Sequence, residues 1–307
     1  MRKDPPLRAV RAMVDEVLAR LSGAGPSFRL MEIGGVPRPC RVLCDMVGKD
    51  HGLRNQVRAG SKQMQLSTPK YRRWRTPGKN LMTLGRKAGN IKPSAHRLFA
   101  DGKRLLNFGS GRRDYKSAIE LLKQAAALGH VGARGWLGAA YDYGLGTKQN
   151  RRIALKHYQI AADAGNANAQ YHVGVFYHDG TGVRRNYQAA VSWLRKAVKQ
   201  GDAGAMYLLG QCYRYGRGLQ KNPKKGFMLQ LEAAKRRVLE AQFSVGVCFS
   251  RGEGVPADPE QAFRWYLVAA RRGHKDAAHN VAYFYETGRG VRRDKKRAEF
   301  WYSRAKQ

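Results

Sequence analysis

A pattern of glycines and alanines that returns every 36 residues constrains this chain more than any other feature. A pair of glycines separated by one residue occurs in every copy: Gly144/Gly146, Gly180/Gly182, Gly216/Gly218, Gly252/Gly254 and Gly288/Gly290. An earlier glycine and two alanines keep the same spacing, as at Gly174, Ala169 and Ala197. A fixed period of this length across five copies predicts a helical repeat array.

The copy at Ala169–Asp202 shows what one unit builds. Apolar and small residues recur at helical spacing up to Tyr177, and Asp179-Gly180-Thr181-Gly182 then ends the helix because glycine readily adopts positive φ. Asn186 is a natural N-cap for a second helix that ends at Gly201. Gly174 weakens the first helix by about 1 kcal/mol against alanine, so we expect a neighbouring helix to approach it closely.

The full pattern resembles a known repeat family. It reads A-x-x-x-x-G-x-x-Y-x-x-G-x-G-V, a basic loop with Asp or Asn, A-x-x-[WY] and then A-x-x-x-G. This is similar to the Sel-one-like repeats, relatives of the tetratricopeptide repeats, and the likeness runs from Ser94 to Gln307. It implies an all-α, right-handed α-solenoid of about six helix-turn-helix repeats. It also implies a protein-binding scaffold, since the family has no shared chemistry.

Several positions depart from the repeat pattern. The stretch Ser94–Gly129 is a degenerate first copy, as is typical of a terminal repeat that caps an array. Ala282 replaces the first glycine of the last copy, and Gly226 replaces an alanine. Arg237 stands where a terminal glycine is expected.

The sequence before the repeats predicts two further regions, residues 1–50 and residues 51–93. Residues 1–50 contain an amphipathic helix at Arg2–Leu21 and a possible β-hairpin at Phe28–Val47, with neither the apolar core of a signal peptide nor the acid-poor composition of a transit peptide. Residues 51–93 form an extended basic arm or linker, and residues 94–307 form the solenoid.

Net charge narrows the choice of partner. The chain has 58 Lys and Arg against 22 Asp and Glu, a net charge of +36. Such self-repulsion favours a polyanionic partner, with nucleic acid ahead of an anionic membrane. No apolar run reaches the 18 or so residues of a spanning helix, so no membrane partner is predicted.

The arm carries the densest positive charge. His51–Ala100 contains twelve Lys and Arg and no acidic residue, with aromatic residues among the cations. Cations can meet phosphates while Trp74 stacks on a base, although a solvated linker is the alternative. The predicted RNA-binding residues of the arm are Arg72, Arg73, Trp74, Arg75, Lys79, Arg86, Lys87 and Lys92.

A second predicted RNA contact lies on the loops between the two helices of each repeat. These loops share one edge of the stack, which we call the basic edge: Arg112, Arg113, Arg151, Arg152, Arg184, Arg185, Lys221, Lys224, Lys225, Arg292 and Arg293. The fourth of the five regular copies interrupts it with Asp258 and Glu260. A further cluster at the ends of the second helices includes Lys196, Lys199 and Arg272, where the helix dipole alone also favours cations.

Catalytic, metal and cofactor sites are not predicted. The sequence lacks G-x-x-x-x-G-K-[ST], H-E-x-x-H and G-x-S-x-G, and its eight histidines are scattered. Cys212 and Cys248 lie one repeat apart, too far for a disulfide, and are expected to be buried thiols in a reducing compartment. We therefore expect no enzyme, no small-molecule substrate and no cofactor.

The leading functional hypothesis is a structural subunit or assembly factor of a ribonucleoprotein, most simply a mitochondrial ribosome. The arm and basic edge would bind RNA, such as ribosomal RNA, and the solenoid would contact neighbouring proteins. The alternative is an adaptor that binds an acidic protein and has no RNA role, in the cytoplasm or another reducing compartment.

Overall fold

The computed structural model describes residues 94–108 and 112–306, and these form helices and turns without a strand. There are twelve helices in the described part: α1 (Ala95–Phe108), α2 (Arg112–Ala127), α3 (Val131–Tyr143), α4 (Arg151–Asp163), α5 (Ala167–Asp179), α6 (Tyr187–Lys199), α7 (Ala203–Tyr215), α8 (Pro223–Lys235), α9 (Leu239–Arg251), α10 (Pro259–Arg271), α11 (Lys275–Thr287) and α12 (Lys295–Lys306). Successive helices form six pairs, and each pair is one repeat, numbered 1 to 6 along the chain. The first helix of a pair is called helix A and the second is called helix B. The predicted all-α helical repeat solenoid is confirmed. The N-terminal helix, the hairpin and the basic arm lie outside the described residues.

Each helix B of repeats 2 to 6 begins at a side-chain cap, as the sequence predicts. The carboxamide or carboxylate oxygen of the cap accepts a hydrogen bond from the backbone N–H three residues on, at 2.9–3.1 Å. The caps are Asn150, Asn186, Asn222, Asp258 and Asp294. A cap of this kind contributes about 1 kcal/mol.

The two glycines of each turn have different structural roles: the first ends helix A, and the second contacts the preceding repeat. Gly180 ends α5 with a left-handed φ of 74°, and its N–H donates to the Phe176 carbonyl. Gly182 has a φ of 67°, and a Cβ there would lie 2.9 Å from the carbonyl carbon of Arg151, at the start of helix B of the preceding repeat. The second glycine of every later turn meets the equivalent backbone. Each of these turns therefore packs on the start of the preceding helix B, and this places the turns in a row along the stack.

The glycine inside helix A has the packing reason that the sequence predicts. A Cβ on Gly174 would lie 2.8 Å from the Leu194 side chain of its own helix B, and Gly138 faces Tyr158 in the same way. Glycine at this position lets the two helices of a repeat approach each other closely. The packing gained in this way offsets the free energy that glycine costs inside a helix.

Successive repeats are joined by side chains that reach back to the end of the previous helix B. The Arg236 guanidinium donates to the Gly201 carbonyl at 2.8 Å. Arg272 donates to the Arg237 carbonyl at 2.8 Å and to the Gln242 side chain at 2.7 Å. Gln200 makes the equivalent bond to the Gly165 carbonyl. These bonds satisfy carbonyls that a helix end leaves open.

The core is built from alanine, leucine and aromatic side chains between the helices. Tyr158 and Trp265 are fully buried, whereas Trp193 and Trp301 are only partly covered and pack at its margin. Cys212 and Cys248 are free and buried, as expected. Burial raises the pKa of each thiol to about 11.

Repeat 4 is where the sequence departures change the structure. Arg237 keeps the left-handed conformation of the missing glycine, with a φ of 67°. Gly226 brings α8 against α7, because a Cβ there would lie 2.7 Å from both the Gly210 carbonyl and the Arg214 side chain. Arg214 is only 3% exposed and pairs with Glu253 of repeat 5.

Candidate nucleic-acid interface

The stacked turns place the predicted cations of repeats 2, 3, 4 and 6 along one edge. All nine whose side chains the structure describes are exposed: Arg151, Arg152, Arg184, Arg185, Lys221, Lys224, Lys225, Arg292 and Arg293. Because the second glycine of each turn touches the preceding helix B, these groups recur at the spacing of the repeats. A rigid row of cations presents positive potential at fixed intervals.

Some side chains of the basic edge are held in place by their neighbours. Arg185 donates to the Asp179 carbonyl at 3.3 Å, and its guanidinium lies 6.0 Å from the centre of the Tyr187 ring. The Lys225 ammonium lies 4.8 Å from the Tyr213 ring. These contacts restrict the cations without neutralising them.

One residue that the sequence analysis missed belongs to this surface. Arg217 lies between the two glycines of the repeat 4 turn, and its guanidinium lies 5.9 Å from the Tyr187 ring and 5.3 Å from the Tyr215 ring. It also contacts the His178 ring nitrogen at 3.3 Å. Its place inside a turn of the basic edge was the signal that could have identified it.

The expected interruption in repeat 5 is also present. Its turn contributes Glu253, which pairs with Arg251 at 3.6 Å and with the buried Arg214. Asp258 caps α10, and Glu260 pairs with Arg264 at 2.6 Å. The cations near this turn therefore have acidic partners, so the positive row is weakest here.

The cluster at the ends of the B helices divides into two kinds of residue. Arg236 and Arg272 bind carbonyl groups and join repeats, and Lys235 lies 3.8 Å from Glu232. Lys196 and Lys199 are exposed on α6, and Lys196 lies 3.9 Å from the Trp193 ring. The first group is structural, and the second is available to a ligand.

Two open clefts border α6 and share Gln188. The α6 cleft, of about 430 Å³, is lined by Gln188, Val191, Ser192, Arg195, Lys196, Lys199 and Gly218. The turn cleft, of about 600 Å³, is lined by Tyr177, Val183, Arg184, Arg185, Asn186, Tyr187 and Gln188. The second cleft thus includes two predicted residues of the basic edge.

A different surface is formed by the A helices. Phe99, Tyr171, Tyr207 and Phe243 occupy equivalent positions in repeats 1, 3, 4 and 5 and are half-buried, while Gly135 and His279 hold this position in repeats 2 and 6. Tyr171 packs over the backbone of the next repeat, since a Cβ on Gly204 would lie 3.1 Å from its ring. Tyr143 and Tyr215, at the ends of their helices, are 43% and 51% exposed. This aromatic row offers apolar area that a protein can cover.

The remaining predicted site residues have no described side chains. Arg112 and Arg113 begin α2, but only their backbone is described, and all eight arm residues from Arg72 to Lys92 lie outside the described part of the chain. Their role in RNA binding stays a prediction.

One histidine in the described residues has a strongly shifted pKa. Burial lowers the pKa of His172 to about 4, and its ring is stacked on the Tyr158 ring at 4.6 Å. No group of three or more His, Cys, Asp or Glu side chains in this part of the chain is arranged to hold a metal ion. None of the described helices has the length and apolarity to cross a membrane.

Comparison with known proteins identifies the class defined by this fold: a Sel1-type α-solenoid. The Sel1 repeat family model matches residues 94–130, 133–166, 167–202, 203–237, 239–274 and 275–307. The chain therefore belongs to the Sel1 repeat family, whose non-catalytic helical scaffold is suited to protein–protein interaction. No curated protein matches it.

Two solved structures are similar to this chain. A Sel1 repeat protein from Oxalobacter formigenes shares 32% identity with a TM-score of 0.62, covering 68% of this chain and 82% of that protein. A protective antigen of uropathogenic Escherichia coli strains, c5321, which displays the same repeat fold, shares 27% identity with a TM-score of 0.63. That match covers 69% of this chain and 46% of the antigen.

Proposed function

We propose that this protein is a non-enzymatic scaffold that binds RNA through its basic edge and arm. The observation that carries the proposal is the row of exposed cations on turns that each pack on the preceding helix B. The regular spacing suits a polyanion with evenly spaced charges better than a single acidic group. Binding would release counterions from the RNA, which makes affinity strongly dependent on salt.

The test is binding of the full chain to a single-stranded RNA of about 20 nucleotides, measured by fluorescence anisotropy over a series of salt concentrations. We expect log affinity to fall linearly with log salt. Arg152→Gln, Arg184→Gln and Arg292→Gln together remove three charges from the basic edge. If each contacts one phosphate, the slope becomes shallower by about 2, at roughly 0.7 per phosphate.

A matched control removes the same charge elsewhere. Lys156, Arg271 and Arg304 are exposed cations on B helices of three different repeats. Their combined substitution by glutamine, the charge-matched control, should weaken binding less than the basic-edge variant and leave the slope nearly unchanged. No RNA binding by the unaltered chain at low salt would reject the proposed function.

The finer proposal is that the complex is a mitochondrial ribosome or its assembly machinery. A strongly basic repeat protein with a cation-rich arm suits a large RNA–protein particle, and two buried free thiols suit a reducing compartment. A tagged full chain should sediment with ribosomal particles from mitochondria, and ribonuclease should release it. Sedimentation at the size of the free protein, with or without ribonuclease, contradicts this assignment.

The aromatic row on the A helices supports a second function, an adaptor for an acidic protein. This function needs no RNA and matches the scaffold character of the family. An adaptor would bind a polyglutamate peptide and retain no RNA at low salt. Tyr207→Ala and Phe243→Ala should then weaken peptide binding, whereas under the first proposal they leave RNA binding unchanged.

A further inference from the structure

Helix α6 differs in charge from the other B helices. Its outward side chains include Arg195, Lys196 and Lys199, and the helix contains no Asp or Glu. Arg195 and Lys199 are four residues apart, a spacing at which like charges destabilise a helix by about 0.2–0.5 kcal/mol. In the described part of the chain, no acidic side chain forms an ion pair with any of the three.

Two of the four cations at equivalent positions of other repeats have an acidic partner, whereas Arg271 and Arg304 have no ion pair in the described part of the chain. Lys123, at the position of Arg195, pairs with Glu120 at 2.9 Å. Lys235, at the position of Lys199, lies 3.8 Å from Glu232. In these repeats the B-helix cation is therefore neutralised within its own helix. On α6 that partner is missing, so an external anion can supply it.

The dipole of α6 accounts for only part of this charge. A cation in the last turn gains about 0.3–1 kcal/mol from the helix dipole, which applies to both Lys196 and Lys199. Arg195 lies just before the last turn, where that effect weakens. Its guanidinium instead donates to the Tyr213 hydroxyl of the next repeat at 3.4 Å.

Arg195, Lys196 and Lys199 all line the α6 cleft. Gly218, in the turn of repeat 4, closes one side, and Ser192 and Gln188 add a hydroxyl and an amide to the cations. Lys196 is held over the Trp193 ring, and Arg195 is held by Tyr213. Its volume of about 430 Å³ falls in the range of ligand sites. A guanidinium fork, two ammonium groups and a hydroxyl are donors that suit phosphate oxygens.

We infer that the α6 cleft is a phosphate-binding site and that it receives backbone phosphates of RNA. The RNA part rests on the proposed function. The turn cleft favours RNA over an acidic peptide, because it continues from the α6 cleft through Gln188 and carries Arg184, Arg185 and the rings of Tyr177 and Tyr187. Cations interleaved with aromatic rings can bind successive phosphates and stack their bases.

The experiment uses the full chain and two probes, tripolyphosphate and a single-stranded RNA, with affinities measured by calorimetry and anisotropy. Arg195→Gln, Lys196→Gln and Lys199→Gln together should lower tripolyphosphate affinity at least about tenfold, since charge-assisted hydrogen bonds are removed. The same variant should make the RNA salt slope shallower by about 2. The charge-matched control should change tripolyphosphate affinity by less than about threefold, as expected for the same change in net charge alone.

The outcomes separate this site from the proposed function. If the chain binds no RNA but tripolyphosphate binding depends on α6, the phosphate site stands and the RNA function fails. If RNA binds and both variants weaken it equally, the RNA function stands and the α6 site is rejected. If α6 is needed for polyglutamate but not for tripolyphosphate, an acidic peptide is the ligand and the inference is wrong. Circular dichroism melting of the variants confirms that weaker binding does not come from unfolding.

Discussion

At the scale of single residues, Arg237 is a strained exception in an otherwise regular array. It occupies the left-handed conformation that glycine adopts in the other repeats, at Gly165, Gly201 and Gly273. This conformation costs a non-glycine residue about 1–2 kcal/mol. Arg237→Gly removes that strain but adds about 0.4–1 kcal/mol of unfolded-chain entropy. We expect stability to rise by about 0–1.6 kcal/mol, measured by urea unfolding.

The reciprocal change is the control for this prediction. Gly273 has a φ of 90°, and a Cβ added there meets nothing within 4 Å. Gly273→Ala therefore tests the backbone conformation without a clash and should cost about 1 kcal/mol. If Arg237→Gly is destabilising while Gly273→Ala is neutral, the left-handed conformation is not the source of strain.

His172 predicts a dependence of stability on pH. Burial against Tyr158 lowers its pKa to about 4 from the ordinary value of 6.5, so the unfolded chain binds the proton more tightly. The free energy of unfolding should therefore fall as pH drops from 6.5 to about 4 and level off below that. At about 1.4 kcal/mol per pKa unit, the decrease is roughly 3 kcal/mol.

A phenylalanine at this position isolates the contribution of His172. His172→Phe keeps an aromatic ring against Tyr158 but cannot take up a proton. Unfolding by urea across this pH range should be less steeply pH-dependent in the variant than in the original protein. Parallel curves for the two proteins would show that His172 titrates normally in the folded state.

At the scale of elements, the two glycines of a turn are predicted to differ in importance. Both Gly216 and Gly218 have left-handed φ, but they have different neighbours. A Cβ on Gly216 meets the Lys221 Cβ at 3.3 Å, whereas one on Gly218 would overlap the backbone carbonyl of Tyr187. Gly216→Ala should cost about 1 kcal/mol for strain alone. Gly218→Ala should cost clearly more, because two repeats must separate.

Amide hydrogen exchange can identify the segments that Gly218→Ala destabilises. In Gly218→Ala, amides at the start of α6 and in the repeat 4 turn should exchange faster, while α3 and α12 keep their protection. Equal effects of the two substitutions would mean that the turns are not seated on the preceding helix. The basic edge would then lack the rigid spacing on which the proposed function depends.

The helix pair was predictable from sequence because each part has a local signal. The cap at Asn186, the turn glycine at Gly180 and the small residue at Gly174 can each be read without the fold. The ion pair between Arg214 and Glu253 could not be read in this way. It joins residues of different repeats, and the space that encloses Arg214 depends on the absence of a side chain at Gly226.

At the scale of the whole molecule, the 36-residue period predicts which residues share a surface, but it does not predict which partner each cationic side chain contacts. A row of loops follows from the repeat itself, so the basic edge was predictable. Lys199 and Arg272 looked alike in the sequence, since both lie near the end of a helix B. Arg272 binds the carbonyl of Arg237, and Lys199 lines the α6 cleft. That distinction depends on where the side chains of neighbouring repeats lie.

Substitutions in the arm should change RNA binding without changing the stability of the solenoid. In the described part of the chain, the core runs through helices α1 to α12, from Leu98 to Ala298. The arm has few apolar residues at helix or strand spacing, so its sequence predicts no core of its own. Substituting alanine for Arg72, Arg73, Arg75 and Lys79 should then leave the melting temperature of the solenoid nearly unchanged. RNA affinity should fall, and the salt slope should become shallower by about 0.7 for each phosphate that the arm no longer binds.

Trp74 supplies the control for charge within the arm. Trp74→Ala should weaken RNA binding by roughly 1–3 kcal/mol if a base stacks on the indole, with almost no change in salt slope because stacking releases no counterions. Anisotropy titrations at several salt concentrations distinguish the two effects. If the fourfold variant lowers the melting temperature, the arm packs on the solenoid as a structural element. If it binds RNA as tightly as the original chain, RNA binding belongs to the solenoid alone.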